Sequence, residues 1–158
     1  MAPFVVLVVS TLVFRLIGRF GAGSVSSWRD AARMGVAFMF VFTGVTHFSG
    51  MKHDYAAMVP PPLTGQLWVI YATGLLEIAG ALGLLAPRTR KPAALGLLLL
   101  LGALFPANVY AAVNGIQFRG APPTDVWLRG ILQAIFAIVV WWSAVAPLGR
   151  PGRRTPRP

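Results

Sequence analysis

The chain contains no cysteine, only four acidic side chains and only two histidines among its 158 residues. Without cysteine there can be no internal disulfide, thiol redox relay or iron–sulfur ligation, so any redox role would need a bound cofactor or a partner subunit. His47 and His53 are six residues apart. That spacing puts them on different faces of a helix, and His53 is expected in a loop, so no two-histidine metal or haem pair forms. There is no phosphate-binding glycine loop, nucleophile elbow or paired-carboxylate hydrolase pattern. Because acids are scarce, fourteen Lys and Arg residues are left almost uncompensated, for a formal net charge of +10. They lie in short runs between apolar stretches, which suits an anionic membrane leaflet better than nucleic acid.

Apolar residues, in contrast, are abundant: 56% of the chain is hydrophobic and its mean hydropathy is +0.70. That exceeds an ordinary soluble domain and implies an all-α membrane protein. Five apolar stretches are expected to span the bilayer: Pro3 to Ile17, Ala31 to Phe48, Gln66 to Leu85, Ala93 to Val113 and Val126 to Val145. The first is short. Its rival reading is a cleaved signal peptide, but those carry positive charge before the apolar core, whereas Arg15 and Arg19 follow it here.

Charge counting orients the spans. Arg15, Arg19, Arg29 and Arg33 lie between spans one and two, Arg88, Arg90 and Lys91 between three and four, and Arg150, Arg153, Arg154 and Arg157 after five. With five spans these eleven basic residues share one side, leaving Lys52, Arg119 and Arg129 for the other. The positive-inside rule then sets the N-terminus outside and the C-terminus in the cytoplasm of a bacterial plasma membrane. Residues 1–30 read as an N-terminal transmembrane helix and basic loop, and 31–147 as a four-helix transmembrane domain. Residues 148–158 read as a disordered basic tail near lipid headgroups.

The breaks are marked by Ser26 and Ser27 before span two, Pro60, Pro61 and Pro62 before three, Pro87 and Pro92 around the next loop, and Pro122 and Pro123 before five. Gly74, Gly80 and Gly83 would allow close helix contact. The Leu97 to Leu101 run reads as lipid-facing. Pro106 lies inside span four, predicting a kink near Asn108 and a freed carbonyl near Gly102.

Polar groups inside apolar segments point to function, because an ionisable group at bilayer depth is costly. Glu77 is the deepest, about 16 Å below the outer surface at a rise of about 1.5 Å per residue; Asn108 and Gln133 lie about 9 Å down, and His47 and Arg129 near the outer ends of their spans. Polar groups facing lipid would lack partners, so these five should converge on a cavity open to the outside, with Tyr71, Thr43, Thr46, Tyr110 and Trp127 completing its wall. Structural readings stand beside this one. Glu77 can serve a ligand or proton site or fasten two helices, and His47 can carry protons or anchor at the interface. Arg129 can pair with Glu77 or Asp125 or anchor at the interface, while Asn108 and Gln133 can simply join helices. Trp127, Trp141 and Trp142 suit membrane interfaces.

GVTHF at the end of span two, YAAMVPP in the outer loop, TGLLEIAGALGLLAPRTR across span three, FPANVYAAV in span four and WLRGILQAIFAIVVWW in span five occur in that order. From Arg33 to Trp142 this pattern resembles the DoxX family of bacterial membrane proteins. The resemblance implies an antiparallel four-helix transmembrane bundle, with the family's histidine, glutamate, asparagine and arginine at His47, Glu77, Asn108 and Arg129. It also implies association with membrane oxidoreductases, since named members include a small subunit of a thiosulfate:quinone oxidoreductase. The chain departs from the family in its additional N-terminal span and in having Thr64 where relatives often carry proline.

Taken together, these readings lead to an accessory subunit, not a stand-alone enzyme, that binds a quinone, lipid or similar hydrophobic molecule and supports a redox-protein partner. The ligand residues would be His47, Glu77, Asn108, Arg129, Gln133 and Tyr71, with no catalytic or metal-binding residue. A non-enzymatic assembly factor or scaffold, alone or as a homo-oligomer, is the alternative. A proton-coupled small-molecule transporter is third, since no internal repeat of spans is visible.

Overall fold

The structure, a computed structural model, describes residues 1–21, 25, 27–122 and 124–147. Ser26, Pro123 and the basic tail expected over 148–158 lie outside the described residues. Helix α1 (Ala2–Arg19) carries Pro3 in its first turn, where a missing N–H breaks no helical bond. Helix α2 (Trp28–Thr46) starts at Ser27, whose hydroxyl accepts from the Asp30 N–H at 3.1 Å. The Asp30 carboxylate accepts in turn from Ser27 Oγ at 2.5 Å and from Arg33 Nη2 at 2.6 Å. Burial alone would raise the Asp30 carboxyl, but these bonds and the Arg33 charge hold it below its ordinary 3.8.

A short helix, α3 (Lys52–Met58), stands in the segment expected to be a loop, so His53 is helical. It forms because Ala56 and Met58 bury against the long helices, a tertiary gain invisible in so short a segment. Helix α4 (Leu67–Leu85) ends ahead of Pro87, and α5 (Arg90–Val113) carries Pro106 inside it. Helix α6 (Val126–Val140) is capped by Asp125, whose carboxylate accepts from the Trp127 and Leu128 N–H groups, and continues into a π-helical turn, Trp141–Val145. The five expected spans thus correspond to α1, α2, α4, α5 and α6 with its turn. Among the described residues four helices are long and apolar enough to cross a membrane: α1, α4, α5 and α6 with its turn. Helix α2 is not one of them, since Arg29, Asp30 and Arg33 crowd its start.

Packing closes a ring. Helix α2 contacts α4, α4 contacts α5, α5 contacts α6, and α6 with its π turn returns to α2; α1 packs on α2 from outside. At one end, called here the α3 end, Tyr55 of α3 meets Phe118 of the α5–α6 connection with ring centroids 4.9 Å apart. At the opposite, basic end, Arg29 of α2 donates to the Ala146 and Pro147 carbonyls that follow α6.

The core lies towards the basic end, where Val36 and Met39 of α2, Ala81 and Leu84 of α4, Ala94 and Leu97 of α5 and Val140 of α6 interlock. Glycines set the helix spacing there. A methyl group on Gly80 would lie 2.6 Å from the Leu97 side chain, and one on Gly83 would lie 2.6 Å from Ala93 Cβ. Gly74 serves the same purpose between α4 and α2, where a methyl group would meet His47 Cβ at 2.6 Å and the Gly44 carbonyl oxygen at 3.0 Å.

The leucine run expected to face lipid is therefore corrected: Leu97 is 1% exposed and Leu101 also lies in the core, while Leu99 is 76% exposed. Leu97 and Leu101 are one turn apart and share a face, and a uniformly apolar helix does not announce which face that is. Elsewhere apolar side chains cover the surface, including Val5, Leu12, Val13 and Leu16 of α1 and Leu75, Leu76 and Leu82 of α4, as hydrocarbon surroundings would favour.

Candidate functional site

At the α3 end the ring does not close on itself but encloses a cavity of about 490 Å³. Five of the six side chains singled out from sequence line it: His47, Glu77, Asn108, Arg129 and Gln133. They sort into two walls.

The first wall belongs to α2 and α4. Glu77 is buried, with 5% exposure, and its Oε2 accepts from Thr43 Oγ1 at 2.7 Å. Among the described residues its other oxygen, Oε1, has no hydrogen-bond partner, yet it is not sealed from the cavity. One turn further towards the α3 end, His47 Nδ1 lies 3.1 Å from the Ile70 carbonyl oxygen and 3.2 Å from Thr73 Oγ1. The carbonyl can only accept, so it favours the tautomer with hydrogen on Nδ1 and leaves Nε2 as an acceptor. The His47 ring also packs on Tyr55, with centroids 4.6 Å apart, and Tyr55 Oη lies 2.9 Å from Thr46 Oγ1. Burial pushes the Tyr55 phenol above its ordinary 10.0, so it stays a neutral hydroxyl.

The second wall belongs to α5 and α6. Arg129 Nη1 donates to Asn108 Oδ1 at 3.3 Å, Asn108 Nδ2 donates to Gln133 Oε1 at 3.2 Å, and Gln133 Nε2 donates to the Leu101 carbonyl. That carbonyl is one residue before the Gly102 acceptor deprived of its helical donor by Pro106. Arg129 Nε also donates to the Thr124 carbonyl at 3.1 Å.

Among the described residues Arg129 pairs with neither Glu77 nor Asp125, which removes one of the two structural readings its position in the sequence left open. The only ion pair among the described residues is Arg33 with Asp30. Glu77 and Arg129 belong to helices diagonal in the ring, and the cavity lies between them. Thr43 and Thr46 line the cavity as expected. Tyr71 does not: its ring stacks on Phe48 at 5.7 Å, beneath the Lys52 ammonium at 5.8 Å. Trp127 is 78% exposed at the α3 end, and Tyr110 also lies off the cavity. Tyr71 fails because a span's outer turn presents side chains in every direction, and depth alone does not choose the inward one.

Thr73, Tyr55, Phe118, Arg119, Met1 and the first residues of α1, Ala2 to Phe4, also line the cavity and were not anticipated. Thr73 stands four residues before Glu77 on the same face of α4, which is the signal that might have identified it. No local signal links Tyr55 and Phe118, whose meeting is purely tertiary. Among the described residues no three His, Asp or Glu side chains gather as a metal site. Chemically, the cavity offers a deep carboxylate, two guanidinium groups, an amide pair and several hydroxyls on an apolar frame, a combination suited to orienting a bound molecule.

Residues 36–145 match the model of a family described as a domain of unknown function, DUF8561, and the chain belongs to that family. No curated protein and no solved structure matches the chain. The matched segment contains the polar residues of both cavity walls, while α1 precedes it.

Proposed function

We propose that this DUF8561 member is a multi-pass plasma-membrane protein that binds a small hydrophobic or quinone-like molecule in its polar cavity, as an accessory subunit to a redox partner. In this reading α2, α4, α5 and α6 form an antiparallel transmembrane bundle and α1 is an additional span. The α3 end faces outside and the basic end faces the cytoplasm, following the distribution of Lys and Arg. The quinone-like ligand and the redox partner come from the DoxX-like motifs; the binding role comes from the cavity.

One observation carries the reading. A buried carboxylate with a spare oxygen and a guanidinium without a carboxylate partner occupy different walls of one cavity. A purely structural pair would be expected to close on itself, because an unpaired buried charge is costly. Held apart, the two groups can bind opposite ends of a polar head while the apolar lining takes the rest. Full-length protein purified in mild detergent should carry an adduct in native mass spectrometry, or melt at higher temperature with decylubiquinone. Glu77→Gln and Arg129→Gln should each reduce that response. Absence of both adduct and shift would remove the reading.

A scaffold role is favoured by a different observation: Thr43 to Glu77 ties α2 to α4, and Gln133 to Asn108 and Leu101 ties α6 to α5. If the polar groups only fasten helices, Glu77→Ala, which removes the Thr43 bond, should release a captured partner in a pull-down. Under the ligand reading the partner stays bound.

A further inference from the structure

We infer that the cavity receives an acidic amphiphile from the surrounding bilayer, entering sideways between α1 and α6 and keeping its tail in the slot between them. This rests on the ligand-binding reading above and adds the ligand's class and route.

The slot exists because α1 and α6 both pack on α2 but make no substantial contact with each other. Leu7, Val8 and Leu12 of α1 form one side, Ile135 and Val139 of α6 the other, and Ala32 of α2 the floor, around a space of about 250 Å³. Phe4 borders both this space and the polar cavity, so the two lie on either side of one side chain. Along α6 and its π turn, Arg129, Gln133 and Phe136 line the cavity, and Ile135, Val139 and Trp142 line the slot nearer the basic end. A molecule occupying both has its head near Arg129 at the α3 end and its tail along α1 towards the membrane interior. That is how an amphiphile already lies in the leaflet on that side, so entry requires sideways movement and no inversion.

Charge selects the head. Arg119 and Arg129 line the cavity, and among the described residues neither is within ion-pair distance of a carboxylate. The single acid of the lining, Glu77, lies deeper, so a carboxylate or phosphate head is attracted at Arg129 and discouraged from passing it. Helix α1, which supplies one side of the slot, precedes the family-matched residues 36–145.

The test uses full-length protein in phosphatidylcholine nanodiscs and palmitic acid carrying a mid-chain diazirine, with crosslinks located by mass spectrometry. Saturable labelling at Val8, Leu12 or Val139, competed by unlabelled palmitate, is expected. Arg129→Gln should lower it roughly tenfold or more, the scale of one charge-assisted hydrogen bond. Arg129→Lys, which keeps the charge, should retain most of it. Val8→Trp fills the slot from an exposed position and should abolish slot labelling, while Leu99→Trp on the exposed side of α5 should leave it unchanged.

Equal labelling by the matching diazirine alcohol, or labelling insensitive to Arg129→Gln, would reduce the slot to ordinary lipid contact and overturn the inference. Crosslinks confined to the cavity near Thr43 and Asn108 would overturn the lateral route and leave the binding function standing. No saturable labelling together with a thermal shift from decylubiquinone would overturn the acidic amphiphile alone; absence of both would overturn the binding function too.

Discussion

The basic and α3 ends of the ring are built from the same four helices, yet one holds the interlocked apolar core and the other a cavity of about 490 Å³. Towards the basic end, alanine, glycine and leucine alternate across α4 and α5, so that Leu97 fits over Gly80 and Ala93 sits against Gly83. Towards the α3 end the same helices carry Thr73, Glu77 and Asn108 inwards, Pro106 removes one backbone donor within α5, and α3 lies across the end without filling the middle. The difference shows how a bundle of apolar helices separates stability from binding. Van der Waals closure at one end fixes the helices, which leaves polar groups at the other free to face a space instead of each other.

The largest effect should come from opening the packed end. Leu97→Ala removes a fully enclosed side chain and should cost about 2–5 kcal/mol, read as a lower melting temperature in detergent. Glu77→Gln keeps the Thr43 bond and should cost about 1 kcal/mol or less. If the two variants melted alike, the contrast between the ends would be lost.

Arg129→Ala should follow, at about 1.5–3 kcal/mol, the scale for hydrogen bonds from a charged donor. Arg129→Lys should fall between that variant and the parent, because an ammonium cannot fork between the Asn108 side chain and the Thr124 carbonyl. Since Arg129 and Glu77 share no partner, the Arg129→Ala and Glu77→Gln costs should add to within about 0.5 kcal/mol in a double-mutant cycle. A larger coupling would show that the two walls communicate across the cavity.

At the basic end, Ser27→Ala should cost about 1 kcal/mol by removing the α2 cap. The smallest effect concerns pH. Asp30 is held below its ordinary carboxylate value of 3.8, so its stabilising contribution is present above that pH and is lost as the pH falls through its lower folded value. The melting difference between parent and Asp30→Asn should be visible at neutral pH and shrink in acid. A difference that persisted well below the carboxylate range would rule out the Ser27 and Arg33 bonds as its source.

Most elements were legible in the sequence. Proline, serine and aspartate punctuation located five long helices, and the cost of burying polar groups in lipid picked out His47, Glu77, Asn108, Arg129 and Gln133, which do share one cavity. Direction around each helix was less legible. Tyr71 and Leu99 point away from the interior while Leu97 and Thr73 point into it, and in α4 and α5 nearly every neighbour is apolar, so no amphipathic pattern distinguishes the faces. Helix α3 was missed because its seven residues are too few to declare a helix without the contacts that hold it.

Composition and charge order alone thus determined an all-helical chain suited to a membrane, its helix limits and its small set of deep polar groups, because these depend on transfer between water and hydrocarbon residue by residue. The tertiary structure decided that Glu77 and Arg129 stand apart instead of pairing, that Tyr55 and the start of α1 join the cavity, and that α1 and α6 leave a slot. Those outcomes depend on which small residues let which helices approach, and the approach distance is a property of two surfaces together rather than of either segment alone.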